Sequence, residues 1–116
     1  MVDVIPEIVD LFERSGIQLI NESVSDSKNT YPLVTYRERD NSDYAVGDYM
    51  GYSRISFVFN FWGRDLRELT ALAIKADMIL KSVDFTRDNF TEQNTGGLYR
   101  KIATYSRLIK EDYKEV

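Results

Sequence analysis

The sequence predicts an α+β fold: a mostly antiparallel sheet of four to five strands with two helices packed on one face. Three observations carry this prediction. The run Ser53 to Trp62 alternates large aromatic with smaller residues, which is typical of a buried strand. It leads through Gly63 into the amphipathic segment Asp65 to Leu80. Two further strand-like runs flank the turn signal Gly96–Gly97, which predicts an antiparallel hairpin.

The N-terminal part predicts one helix and at most one short strand. Asp3 is a favourable helix cap, and an apolar stripe follows at helical spacing, formed by Ile5, Ile8, Val9 and Phe12. Gly16 is expected to end this helix. The apolar run Ile17 to Ile20 is a candidate strand, and the polar, turn-rich stretch 21–30 is expected to be a flexible loop.

The middle of the chain predicts a strand, a loop and the central strand. Leu33 to Arg39 reads as a strand with a charged outer half. Residues 40–52 combine acidic turn formers with tyrosines and two glycines in no clear period, so we expect a second flexible loop there; a short strand plus a loop within Tyr44 to Tyr52 is the alternative. After the central strand, Asp65 and Glu68 have the spacing of a capping box at the start of the second helix.

The C-terminal part completes the sheet. Val83 to Glu92 and Leu98 to Ile109 are predicted strands, and the charged tail 111–116 is expected to fray. A chain of 116 residues suits one domain spanning residues 1–116.

The composition argues against several classes of function. The chain has no histidine and no cysteine, which removes the commonest general base and the thiolate metal ligands. No nucleophile motif or phosphate-binding loop occurs, so we expect no catalytic residues, no metal, no cofactor and no enzyme. The net charge of -4 disfavours binding to nucleic acid.

The sequence also predicts where in the cell the protein is found. The first residues have no basic start and no apolar core, so we expect no signal peptide. No run approaches the ~18 apolar residues of a membrane span. We therefore expect no membrane partner and assembly in a cytoplasm.

The central strand suggests a need for a partner. Ser53 to Trp62 is predicted to be apolar on both faces, and two helices on one side leave the other face for a neighbouring subunit to cover. Eight tyrosines in so short a chain also favour a contact surface. The residues predicted to form this interface are Tyr44, Val46, Tyr49, Met50, Tyr52, Val58, Trp62, Tyr99 and Tyr105.

The order of these predicted helices and strands resembles that of a known protein family. A short helix precedes Tyr31 to Tyr36 (YPLVTY), the aromatic strand Ile55 to Trp62 runs directly into an Ala/Leu/Ile helix, and a hairpin ends the chain. Over roughly Pro6 to Ile109, this resembles the tail-completion, or tail-terminator, proteins of long-tailed bacteriophages.

The resemblance implies a non-enzymatic virion protein. Such proteins form a ring, commonly six-fold, at the head-proximal end of the tail. The ring ends the tail tube and joins it to the head connector, so the implied partners are further copies, the tail-tube protein and the connector or neck protein. Two alternatives remain open: a head-side neck or stopper protein, and a monomeric adaptor that binds a protein through the tyrosine-rich loop predicted at residues 40–52.

Overall fold

A computed structural model describes residues 3–24, 30–46 and 50–112 of the chain, and for 24, 43–46, 50, 111 and 112 it describes only the backbone. These residues form two helices and five strands, which confirms the predicted α+β fold. In chain order the elements are α1 (Ile5–Arg14), β1 (Leu19–Asn21), a 3₁₀ turn (Glu22–Val24), β2 (Leu33–Val46), β3 (Met50–Gly63), α2 (Leu66–Ser82), β4 (Thr86–Thr95) and β5 (Leu98–Asp112).

The five strands form one sheet in the order β1-β2-β3-β5-β4. The β1–β2 pair is parallel, and the other three pairs are antiparallel. The long strands β3 and β5 lie at the centre, with Phe57 opposite Tyr105 and Phe59 opposite Ala103. The short strand β1 and the hairpin strand β4 therefore form the two edges of the sheet.

The core lies between the two helices and one face of the sheet, here called the helix face. On β3 this face presents Phe57, Phe59 and Phe61, which are all buried. Phe12 of α1 packs edge-on against Phe59 with ring centroids 5.9 Å apart. On α2, Asp77 accepts a hydrogen bond from the Tyr105 hydroxyl of β5. Both helices thus pack on the same face, as the sequence predicts, and the face on the other side is here called the open face.

The second helix begins as its capping pattern predicts. The Asp65 carboxylate accepts hydrogen bonds from the backbone N–H groups of Arg67 and Glu68, at 3.0 and 3.2 Å. These contacts satisfy donors that have no partner within the helix. The short link through Gly63 brings the start of α2 directly over β3, where the buried side chain of Leu69 packs against the glycine.

The expected loop at residues 40–52 is wrong for most of its length. Residues 40–46 continue β2, and residues 50–52 begin β3, with Tyr44 opposite Tyr52 and Val46 opposite Met50. On its other side this part of β3 pairs with a segment that is distant in sequence, because β5 lies alongside β3 as far as Asp112. Backbone pairing on both sides of β3 outweighs the irregular side-chain pattern. The tip, residues 47–49, lies outside the described residues.

Other element boundaries also differ from the prediction. Strand β4 begins at Thr86 rather than Val83, because Val83 caps α2 and Asp84 adopts a left-handed conformation with φ 70°. The turn stretch 21–30 begins with an ordered strand residue, Asn21, and a 3₁₀ turn. Of the tail that was expected to fray, residues 111 and 112 belong to β5, and residues 113–116 lie outside the described part.

Candidate interaction surfaces

The open face carries no helix from any part of the chain that the structure describes, yet its side chains shield one another. The Arg100 guanidinium stacks on the Trp62 ring, with its central carbon 4.6 Å from the ring centroid. The same guanidinium donates two hydrogen bonds to the Asn60 side-chain oxygen, at 3.0 and 2.8 Å. The indole N–H of Trp62 donates to the Thr35 hydroxyl. Long side chains thus lie flat over shorter ones.

This shielding corrects one premise of the sequence analysis. The open face of β3 alternates apolar with polar residues, since Ser56 and Asn60 lie beside Val58 and Trp62. Val58 is only 6% exposed, and Trp62 is half-buried. An antiparallel sheet face with this mixture tolerates water. The open face therefore does not by itself require a neighbouring subunit to bury it.

The structure divides the predicted interface residues into five groups. Tyr105 lies in the core at 2% exposure and is not available to a partner, so its assignment to a surface is wrong. Val58 is buried on the open face, whereas Tyr52, Trp62 and Tyr99 are half-buried. Tyr44, Val46 and Met50 lie on paired strands, but their side chains lie outside the described part of the structure. Tyr49 lies outside the described residues altogether.

A surface that the sequence analysis missed lies between α2 and β4. Here a cleft of about 120 Å³ is lined by Phe61, Ala73, Ile74, Asp77, Arg87, Phe90, Lys101 and Tyr105, among others. Three large apolar side chains are exposed on or beside it: Ile74 at 57%, Met78 at 67% and Phe90 at 43%. We call these three residues the exposed patch. Ile74 and Met78 stand four apart on α2 and so share one helix face.

The reason for this patch is the shape of the fold. Helix α1 packs beside β1 and α2, whereas α2 packs over β3 and β5 and contacts the edge strand β4 less extensively. Every residue of β4 is exposed. Exposed apolar side chains grouped beside an unpaired strand edge are typical of interaction sites. One sequence signal was available, since Ile74 and Met78 lie off the apolar stripe that holds Leu69, Ala76 and Leu80.

Charged groups also line the cleft. The Tyr105 hydroxyl donates to Asp77 at 2.5 Å, and Lys81 forms an ion pair with Asp77 at 2.8 Å. Burial acts to raise the pKa of Asp77, but the hydrogen bonds from Lys81 and Tyr105 outweigh it and hold that pKa below its ordinary value. Burial and the bond to Asp77 together raise the pKa of Tyr105. Lys101 pairs with Glu92 on the far wall.

The bond between Tyr105 and Asp77 predicts a pH-dependent stability. Because the pKa of Asp77 is lowered on folding, its contribution is present at neutral pH and is lost as pH falls through the folded pKa. Because the pKa of Tyr105 is raised, its contribution is lost as pH rises above about 10, where the unfolded tyrosine ionises. We therefore expect Tyr105→Phe to lower the free energy of unfolding by about 1.5 kcal/mol at pH 7.

Urea unfolding at pH 2.5, 7 and 11 measures this effect. The difference between wild type and Tyr105→Phe should be largest at pH 7 and should shrink toward both extremes. Tyr99→Phe serves as the matched control, because Tyr99 is half-buried without this carboxylate partner. A difference that stays constant across the three pH values would contradict the assignment.

Other kinds of site find no support in the described part of the chain. It contains no group of three or more acidic side chains placed to hold a metal ion. It also contains no helix that is both long and apolar enough to cross a membrane. The chain matches no protein-family model and no curated protein. The candidate functional surfaces are therefore identified from the structure alone. They are the exposed patch, the two sheet edges and the open face.

Proposed function

We propose that this chain is a non-enzymatic structural subunit that assembles into a ring. The observation that carries the proposal is the exposed patch beside the free edge of β4. Ile74, Met78 and Phe90 together offer apolar surface to water beside β4, whose outer edge has no strand partner among the described residues. Burying each such side chain against a partner contributes about 1 kcal/mol or more.

The family resemblance suggests which ring this is. In the proposal, the ring is a tail terminator: it binds the head-proximal end of a phage tail tube, stops tube growth and joins the tail to the head connector. Commonly six copies form such a ring. The order of helix, strands, helix and hairpin, on which the resemblance rests, is the order of the folded chain. A head-side neck protein would also form a ring, but it would bind the connector without stopping tube growth.

A tube-growth assay tests this function. The chain is added to polymerising tail-tube protein, and tube lengths are measured by electron microscopy. We expect wild type to shorten the tubes and to cap one end. Ile74→Glu combined with Phe90→Asp should abolish this effect, because it places charge in the contact surface. Both positions are exposed, so the variant should fold normally, which circular dichroism checks.

A matched control separates the patch from charge in general. Leu66→Glu introduces the same side chain at an exposed leucine of α2 that does not line the cleft. It should cap tubes as wild type does. If wild type neither caps tubes nor binds their ends, the terminator function is wrong. If the patch variant caps tubes normally, the patch is not the contact surface.

A further inference from the structure

The cleft between α2 and β4 has the size and lining of a site for one apolar group. Its volume is about 120 Å³. An apolar protein cavity of roughly 150 Å³ is large enough to hold a benzene molecule. On the sheet side the cleft is lined by the buried residues Phe61 and Ala103, and on the helix side by Ala73 and Ile74. A phenyl ring or a branched aliphatic side chain therefore fits this space.

One cation of the cleft has no carboxylate partner. Lys101, whose side chain is almost fully buried, forms an ion pair with Glu92. Arg87 also lines the cleft, and its side chain is exposed. Within the part of the chain that the structure describes, no carboxylate forms an ion pair with Arg87. The carboxylate of the next residue, Asp88, instead accepts a hydrogen bond from the Ser106 hydroxyl on the open face. The Arg87 guanidinium is therefore available to an anion.

The Phe90 ring places this guanidinium beside the apolar part of the cleft. The central carbon of the Arg87 guanidinium lies 5.6 Å from the centroid of the Phe90 ring. The Lys101 ammonium lies 5.3 Å from the same centroid. Both distances are those of cation–π contacts. A group that packs against Phe90 inside the cleft therefore lies next to a positive charge.

The local charge of the cleft is positive although the chain as a whole is acidic. Asp77, the carboxylate that lines the cleft, is already paired with Lys81 and accepts the Tyr105 hydroxyl. With the ion-pair partners included, three cations (Arg87, Lys81 and Lys101) stand against two carboxylates (Asp77 and Glu92). The remaining single positive charge contrasts with the net charge of -4 of the chain. It favours an anionic ligand over a neutral or cationic one.

From the apolar space, the unpaired guanidinium and the local charge, we infer that this cleft binds a carboxylate joined to a compact apolar group. A partner polypeptide presents this combination as an apolar side chain next to an acidic one. The apolar side chain fills the space between α2 and the sheet, and the carboxylate pairs with Arg87, whose planar guanidinium suits two parallel hydrogen bonds. The site goes beyond the proposed function, because a single copy of the chain is enough to bind this ligand.

A titration with three small probes tests the chemistry of the site. Phenylacetate is added to the isotope-labelled full chain at pH 7, and binding is followed by the movement of backbone amide signals in NMR spectra. We expect the signals of residues that line the cleft to move. Phenylacetamide has the same shape without the charge, and acetate lacks the ring. Each of these two should bind about tenfold more weakly than phenylacetate.

Variants of the chain separate the two parts of the site. Arg87→Gln should weaken phenylacetate binding about tenfold and leave phenylacetamide binding unchanged, because only the charged probe uses the guanidinium. Ala73→Leu should abolish binding of both probes, because the larger side chain fills the cleft. Arg67→Gln is the matched control, since Arg67 is an exposed arginine of α2 that does not line the cleft. The amide spectrum of each variant verifies that it folds.

A peptide arm tests the source of the carboxylate. A blocked Gly-Phe-Glu-Gly peptide should move the same signals as phenylacetate and compete with it, whereas Gly-Phe-Gln-Gly should bind about tenfold more weakly. If only phenylacetate binds, the ligand is a small carboxylate and the polypeptide assignment is wrong. Phenylacetate that binds no tighter than phenylacetamide, or equally well to Arg87→Gln, contradicts the site itself.

The outcomes are independent of the proposed function. A chain that binds phenylacetate in the cleft but never assembles contradicts the ring and supports the site. A chain that caps tail tubes while its cleft signals ignore all three probes contradicts the site and leaves the ring intact.

Discussion

Phe59→Ala is expected to lower the free energy of unfolding by about 4 kcal/mol, the largest effect of any single change considered for this chain. Phe59 is fully buried at the centre of the helix face. Its ring lies 5.9 Å from that of Phe12, 5.7 Å from that of Tyr105 and 6.1 Å from that of Phe57. Truncation removes these contacts and leaves a cavity between α1 and the two central strands, which the surrounding core fills only in part.

Urea unfolding followed by circular dichroism measures this loss. The control is Leu108→Ala on β5, which removes an apolar side chain that is 59% exposed on the open face. The control should change the free energy of unfolding by less than about 1 kcal/mol. A loss below about 1 kcal/mol for Phe59→Ala would mean that the helices do not pack on this face as described.

The second large effect concerns the contact between α2 and β3. A Cβ atom placed on Gly63 would lie 3.3 Å from the Leu69 Cδ1 atom and 3.6 Å from its Cβ atom. Leu69 is fully buried, so its side chain has little room to move aside. We expect Gly63→Val to overpack this contact and to lower the free energy of unfolding by about 2 kcal/mol.

A double-mutant cycle distinguishes overpacking from other causes of the lower free energy of unfolding. Leu69→Ala alone should cost about 3 kcal/mol, because it opens a cavity under α2. In the double variant the valine occupies part of the space that Leu69 vacates, so the combined loss should fall below the sum of the two single losses by at least about 0.5 kcal/mol. Strictly additive losses would show that Leu69 does not pack against Gly63.

The parts of the fold that sequence predicts well are those with strong local signals. The stripe of α1, the Asp65 cap of α2 and the Gly96–Gly97 turn each correspond to an element boundary or a turn in the structure. Both turn glycines have positive φ, 59° and 83°, which other residues rarely adopt. The alternation of Ser53 to Trp62 likewise identifies the central strand and the face that lies toward the helices.

The parts that sequence predicts poorly depend on partners distant in the chain. Residues 50–52 lack a strand pattern of their own, but they pair with residues 110–112 of β5, which are distant in the chain. Residues 40–46 in turn pair with residues 50–56. Tyr105 looks like a contact tyrosine in the sequence. It is a core residue because the register places it opposite Phe57, and because its hydroxyl donates a hydrogen bond to Asp77 on α2. No local pattern encodes either arrangement.

The exposed patch could not be predicted from the sequence for the same reason. Ile74 and Met78 on α2 and Phe90 on β4 come from different elements, and only the folded chain brings them to one side. The sequence alone predicts that the uncovered apolar surface lies on the second face of β3. The side chains of Arg100 and Trp62 stack over part of that face, whereas Ile74, Met78 and Phe90 are exposed beside the β4 edge.

Sedimentation velocity of the wild-type chain over a wide concentration range tests the central claim most directly. That claim is that the fold leaves a surface which further copies complete. We predict a single closed oligomer that becomes dominant as concentration rises, and that is lost in the variant carrying Ile74→Glu and Phe90→Asp. A protomer that remains monomeric at every concentration, both alone and with tail-tube protein present, would contradict the claim.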